Sequence, residues 1–270
     1  MKYVVETDWL AKNLDNAEVV TIDCRFSLAD PVLGQQKYLE SHIPGADYLD
    51  LNQDLSATVQ KYGGRHPLPD PEILAAKFAQ MGIEFGKTLV VAYDDSRLAF
   101  AARLWWLLRY YGHDQVAVLN GGYPQWLKAG LPVSAAKPVG RSANFVPQVQ
   151  QSWTVPIEAV TDCDEHSPIV LIDAREADRY AGIREPIDPY AGRISGAYNY
   201  PWQEVTAADG LLLPEPLQRQ RWQDLPEHKT KVLYCGSGVT ACVNALSLAI
   251  SEYPEPLIYV GGWSDWCAHH

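Results

Sequence analysis

No run of eighteen apolar residues occurs anywhere in the 270-residue chain, which excludes a membrane-spanning helix from the expectations. Positive charge is the scarcer sign. Lys and Arg number 22 against 33 Asp and Glu, a net charge of −11 at pH 7, which argues against nucleic acid and against anionic membrane surfaces as partners. Cysteine is sparse and unpaired: five residues, an odd number, without a Cys-x-x-Cys or a disulfide-framework spacing. That usage points to a reducing compartment. The opening Met1-Lys2-Tyr3-Val4-Val5-Glu6-Thr7-Asp8 has acids where a signal peptide needs an apolar core, so a cytoplasmic location is expected. No His, Cys, Asp or Glu cluster has metal-ligand spacing, so neither a metal nor another cofactor is expected.

What is present is a globular composition, 47% hydrophobic, written twice. Val20-Thr21-Ile22-Asp23-Cys24-Arg25 recurs as Val170-Leu171-Ile172-Asp173-Ala174-Arg175, and His42-Ile43-Pro44-Gly45-Ala46 as Arg193-Ile194-Ser195-Gly196-Ala197. Val90-Val91-Ala92-Tyr93-Asp94 aligns with Lys231 to Cys235, and Gly121-Gly122-Tyr123-Pro124-Gln125-Trp126 with Gly261-Gly262-Trp263-Ser264-Asp265-Trp266. Four landmarks in one order, about 140 to 150 residues apart, define two copies of ordinary domain size. The expected division is 1–134, a linker at 135–152 in a stretch carrying Pro132, Pro138 and Pro147, and 153–270. Strands are predicted at Val19–Asp23, Thr88–Tyr93, Val116–Leu119, Ile169–Asp173, Lys231–Tyr234 and Leu257–Val260. Helices are predicted at Asp70–Met81, Leu98–Tyr111 and Thr240–Ile250. Short apolar strands joined through helices imply an α/β fold, each copy a mainly parallel sheet with helices on both faces.

One loop carries the chemistry. Strand Lys231–Tyr234 runs into Cys235, then Gly236-Ser237-Gly238-Val239-Thr240, then a helix. Glycines permit a tight nest of inward-facing N–H groups, and helix N-terminal amides favour negative charge there, so the loop favours thiolate, the reactive form. A phosphatase loop needs an Arg six residues after the cysteine, where this chain has Ala241. A Gly-x-Ser-x-Gly elbow would need a glycine in place of Cys235. Copy one has Asp94 at the aligned position, which performs no thiol chemistry. That copy is therefore read as silent, its remaining use being a wall of a cleft, with Phe26 and Trp202 as further wall candidates.

These landmarks resemble the tandem-domain rhodanese family, sulfurtransferases of the 3-mercaptopyruvate and thiosulfate type, over nearly the whole chain. The resemblance implies two rhodanese-like domains, the first silent. It implies ping-pong transfer of a sulfane sulfur from a small anionic donor, 3-mercaptopyruvate or thiosulfate, through a Cys235 persulfide. The acceptor would be cyanide or a thiol, a thioredoxin-like protein among them. Amides of Gly236, Gly238 and Val239 would cradle the anion, with hydroxyls from Ser237 and Thr240. The neutral Gly236-Ser237-Gly238-Val239-Thr240 loop looks like that of the mercaptopyruvate branch, since thiosulfate enzymes more often carry basic residues there. Arg179 falls where the family keeps a substrate-binding arginine. A second arginine of that branch is missing from Glu185-Pro186-Ile187-Asp188-Pro189, and Arg184 is its candidate replacement. His66 matches a family histidine, while the aspartate that should partner it is replaced by Asn52, with Asp50 two residues earlier. The competing reading keeps the fold and changes the role: a persulfide carrier without turnover, or a redox-sensing interaction module.

The remaining candidates read as structural. Asp23 and Asp173 are expected to pair with Arg25 and Arg175, Cys242 to face the core, Cys24, Cys163 and Cys267 to be inert, and His42 to pack or cap.

Overall fold

Uninterrupted β-branched and aliphatic runs suit strands buried on both faces. In the computed structural model, β1 (Val4–Val5), β2 (Val19–Asp23), β3 (Asp47–Tyr48), β4 (Leu89–Tyr93) and β5 (Val116–Leu119) form one sheet in the order β1-β5-β4-β2-β3. A second sheet, β7-β6-β8-β9, is made by β6 (Ile169–Asp173), β7 (Tyr198–Asn199), β8 (Thr230–Tyr234) and β9 (Leu257–Ile258). Every ladder between these strands is parallel. The structure describes residues 2–161, 163–164 and 166–270. No helix among the described residues is long and apolar enough to cross a membrane.

The predicted strands and helices are found, with ends moved by up to three residues. The largest shift has a local cause. Arg97 and Leu98 adopt left-handed φ values of 57° and 71°, so the expected helix from Leu98 begins instead at Ala101 and runs to Tyr110. β1, β3 and β7 have two residues each, too short to show a period of two.

The chain folds as two units, each drawing on both halves of the sequence. Unit 1 comprises Met1–Ala57, Pro69–Gln150 and Ala208–Leu212, and unit 2 comprises Thr58–Leu68, Gln151–Ala207 and Leu213–His270. The stretch expected as a linker lies along unit 1 as far as Gln150. There Phe145 is buried against Phe78 and Phe85, and the N–H groups of Gln148 and Gln150 donate to the carbonyls of Tyr111 and Tyr110.

Within each unit the four repeated landmarks meet. Arg25 forks onto Asp23 and donates to the Ser41 carbonyl at 2.6 Å, its guanidinium 4.1 Å from the Tyr123 ring centre, while the Tyr93 hydroxyl donates to Asp23. In unit 2 Arg175 forks onto Asp173, donates to the Gly192 carbonyl and lies over Trp263 at 4.7 Å. Both ion pairs are buried, a bidentate geometry in which Arg is not replaceable by Lys. The expected structural role of both pairs is therefore what the geometry displays. The apolar cores follow the same repeat: Ile43, Ala46, Val91, Tyr93 and Tyr123 in unit 1, and Ile194, Ala197, Val232, Tyr234 and Trp263 in unit 2.

Candidate active site

β8 carries Cys235 to its carboxyl end, where the chain turns into the helix Ala241–Ile250. That helix is apolar on nearly all sides and nearly all buried, so its N-terminal loop is held from behind. The carbonyl oxygens of Cys235 and Gly236 accept the N–H groups of Trp263 and Ser264 at 2.8 and 2.9 Å. Both carbonyls are thus spent on the turn that follows Gly261-Gly262. Gly238 has φ +72°, and a Cβ there would lie 2.5 Å from the Val260 carbonyl oxygen, so both its conformation and its contacts require glycine. Cys235 is 2% exposed.

Unit 1 displays what such a loop binds. Asp94, at the position aligned with Cys235, is buried, and its carboxylate accepts the N–H groups of Ser96, Leu98, Phe100 and Ala101 at 2.8 to 3.0 Å. Burial raises the Asp94 carboxyl above its usual range, and those four N–H groups oppose that shift. Asp94 therefore fills its own nest. Phe26 is likewise buried, against Phe100. The aligned N–H groups of unit 2 belong to Ser237, Val239, Ala241 and Cys242, of which Cys242 donates to the Val239 carbonyl. Val239 is common to this set and to the expected one, whereas Gly236 and Gly238 are not.

Around the loop, side chains converge from distant segments. His66 Nδ1 lies 2.7 Å from Ser237 Oγ, both residues buried. The segment that brings His66 belongs to unit 2: Gly63 N–H donates to Asp265 Oδ1 at 2.7 Å and Arg65 N–H to Ser264 Oγ at 3.1 Å. Arg65, which no sequence argument singled out, puts its Nη2 3.0 Å from where a Cβ of Gly236 would stand. Arg179, on the short helix Ala177–Tyr180, puts Nη2 3.6 Å from the same point. Burial lowers the Arg65 pKa, opposed by the neighbouring Cys235, with Arg179 lowering it further.

Both guanidiniums carry counter-ions. Arg179 donates through Nη2 and Nε to Glu185 at 2.7 and 3.1 Å and through Nη2 to Asp188 Oδ2 at 3.3 Å, and Arg65 Nη1 pairs with Asp188 Oδ1. Arg184 is not brought in. It is exposed and bound to Asp178 at 2.6 Å, because that carboxylate lies within reach on the same surface. Thr240 is half-buried before the first turn of the helix and makes no side-chain capping bond. Asn52 is exposed, while Asp50 accepts the N–H groups of Asn52 and Gln53 and the Tyr48 hydroxyl. Cys242 is fully buried, its Sγ 3.4 Å from the Gly238 carbonyl, and His42 bonds to the Tyr38 and Ala136 carbonyls.

Known proteins are similar to this chain over nearly its whole length. The family profile for the rhodanese-like domain matches residues 6–129 and 158–269. A probable 3-mercaptopyruvate sulfurtransferase of Pseudomonas aeruginosa is 41% identical over 262 residues, 95% of this chain and 92% of its own. A 3-mercaptopyruvate sulfurtransferase of Escherichia coli is 34% identical over 275 residues, 98% of this chain and 95% of its own. The crystal structure of SseA from Escherichia coli superposes with a TM-score of 0.85 at 30% identity, covering 98% of this chain and all of that one. With two copies of the domain, and a cysteine loop completed in only one of them, the chain belongs to the rhodanese-like family and is a sulfurtransferase.

Proposed function

We propose that the chain takes sulfur from 3-mercaptopyruvate onto Cys235 and passes it to a small thiol or cyanide. The observation that carries this reading is the approach of two guanidiniums, Arg65 and Arg179, to Gly236 beside the thiol. A planar cation pair there suits the carboxylate of a small acid. The likeness to 3-mercaptopyruvate sulfurtransferases of Pseudomonas aeruginosa and Escherichia coli supports the same donor.

The chemistry runs in two halves. The Cys235 thiolate attacks the mercapto sulfur, the carbon–sulfur bond breaks, and its electron pair leaves as the enolate of pyruvate. The enolate takes up a proton to give pyruvate, and Cys235 is left as a persulfide. The His66–Ser237 pair, at 2.7 Å, lies where a proton can be held or moved beside the loop. An acceptor thiol or cyanide then attacks the outer sulfur, and the Cys235 thiolate departs. N–H groups of the loop, in the arrangement that holds the Asp94 carboxylate in unit 1, stabilise the sulfur anion in both halves. Arg65, Arg179, His66 and Ser237 are the donor-facing residues of this reading, with Val239 in the cradle.

The test is kcat/KM for 3-mercaptopyruvate and for thiosulfate, with cyanide as acceptor, in the wild-type chain and in Cys235→Ser. A preference for 3-mercaptopyruvate, lost in the variant, is expected. A preference for thiosulfate would overturn the donor. Persulfide formation that stops after one event would leave the carrier or sensor reading in its place.

A further inference from the structure

The cation pair facing Gly236 is already balanced from within the protein. Arg65 and Arg179 share the carboxylate of Asp188, one oxygen each, and Glu185 takes the Nε–Nη2 edge of Arg179, sharing Nη2 with Asp188. Asp188 and Glu185 are both deeply buried, at 2% and 3% side-chain exposure, so water screens neither. Glu185 also receives the N–H groups of Ile187 and Asp188 through Oε1, which fixes the turn presenting Asp188. Arg175, 3.2 Å from Glu185 Oε2, is balanced by Asp173, and Glu176 lies 3.8 Å from Arg179 on its more exposed side. A donor reaching Cys235 therefore meets two guanidiniums whose charge is met by two buried carboxylates.

We propose that Asp188 is a specificity-determining residue that limits the negative charge of the sulfur donor by pairing with one nitrogen of each arginine. The inference rests on the reading of Arg65 and Arg179 as the donor's anion site. A monoanionic carboxylate can use the guanidinium nitrogens that remain. A dianion needs more positive charge than the balanced pair supplies, and is disfavoured in proportion to its charge. Asp188 acts through the arginines rather than on the reacting atoms, and its effect lies in KM rather than in kcat. This complements the neutral loop after Cys235: the loop adds no cation, and Asp188 offsets much of the charge of those that are there.

The test measures kcat/KM for 3-mercaptopyruvate and thiosulfate, and competitive inhibition by sulfate as an inert dianion. It uses the wild-type chain, Asp188→Asn, Asp188→Ser and Asp188→Glu. Because Coulomb energy scales with donor charge, the neutral variants should gain about threefold on the monoanion and about tenfold on the dianion, mainly through KM. Sulfate inhibition should tighten about tenfold by the same argument, and Asp188→Glu should keep the wild-type donor ratio. An unchanged ratio in the neutral variants, or a loss of both activities through kcat, would overturn the proposal. So would failure of both neutral variants to fold, since Asp188 would then be a structural member of the site. A wild-type chain that forms no Cys235 persulfide with either donor would sink the underlying reading before Asp188 is tested.

Discussion

Cys235 and Asp94 stand at aligned positions of two loops that share their strand end and their closing carbonyl bond. Both follow a strand-end tyrosine and end with their own carbonyl accepting the N–H of an aromatic residue, Trp263 or Tyr123. One copy has a cysteine at the aligned position, the other a carboxylate that consumes the N–H groups itself. Removing the carboxylate leaves those groups without an acceptor. Asp94→Ala should therefore cost about 2–4 kcal/mol in a urea melt while persulfide formation at Cys235 continues in the folded fraction. A neutral outcome would mean that water fills the nest at no cost. The thiol loop was legible in the sequence because glycine, cysteine and the strand before them are contiguous. Arg65 was not: nothing in Gly63-Gly64-Arg65-His66-Pro67 says that its partner is Asp188, 123 residues away.

At the scale of elements, the long buried strands announce themselves by composition, and of the two-residue edge strands only β9 does, while β1, β3 and β7 do not. β3 is such an edge, paired to β2 through Ile22–Asp47 and Asp23–Tyr48. Its Asp47 carboxyl is pushed up to about 6 by burial, partly offset by Arg141 and His42. The folded state then holds this proton more tightly than the unfolded chain. Stability from this group is present below about pH 4 and is lost as pH rises through about 6. Asp47→Asn should remove that fall and stabilise the chain at pH 7 by on the order of 1 kcal/mol, allowing for partial solvent screening. Denaturant midpoints at pH 4.5 and 7 decide it, and parallel profiles for variant and wild type would refute the assignment. The 58–68 segment is an element of another kind, shaped by anchors rather than by regular bonds. Asp265 and Ser264, where the first copy has Gln125 and Pro124, hold the backbone that presents Arg65 and His66.

At the scale of the whole molecule, the duplication extends to a feature that no landmark revealed. Thr58–Leu68 from the first half belongs to unit 2, and Ala208–Leu212, about 150 residues further on, belongs to unit 1. Each unit is thus completed by a strap from the other half of the sequence, with Leu212 N–H donating to Asn120 in unit 1. The net charge of −11 acts at this scale too, since the proposed anionic donor would approach against the field of the chain. Raising the ionic strength from about 10 mM to about 150 mM shortens the screening length from about 30 Å to about 8 Å. It should raise kcat/KM for thiosulfate about twofold, by the same screening. A fall would show that Arg65 and Arg179 outweigh the chain's acidity during encounter.

The α/β class, the two copies and the cysteine loop present in one of them could all be read from the linear order of residues. Each rests on short-range physics: apolar runs that must be buried, glycines that permit a left-handed turn, and an ordered set of repeated residues. Only the tertiary structure decided how charges are shared. It turned Arg184 outward to Asp178, brought Arg65 to Gly236, and set Asp188 between two guanidiniums. The pairing of a buried cation depends on which carboxylates the fold leaves within reach and out of water, and separation along the chain carries no record of that.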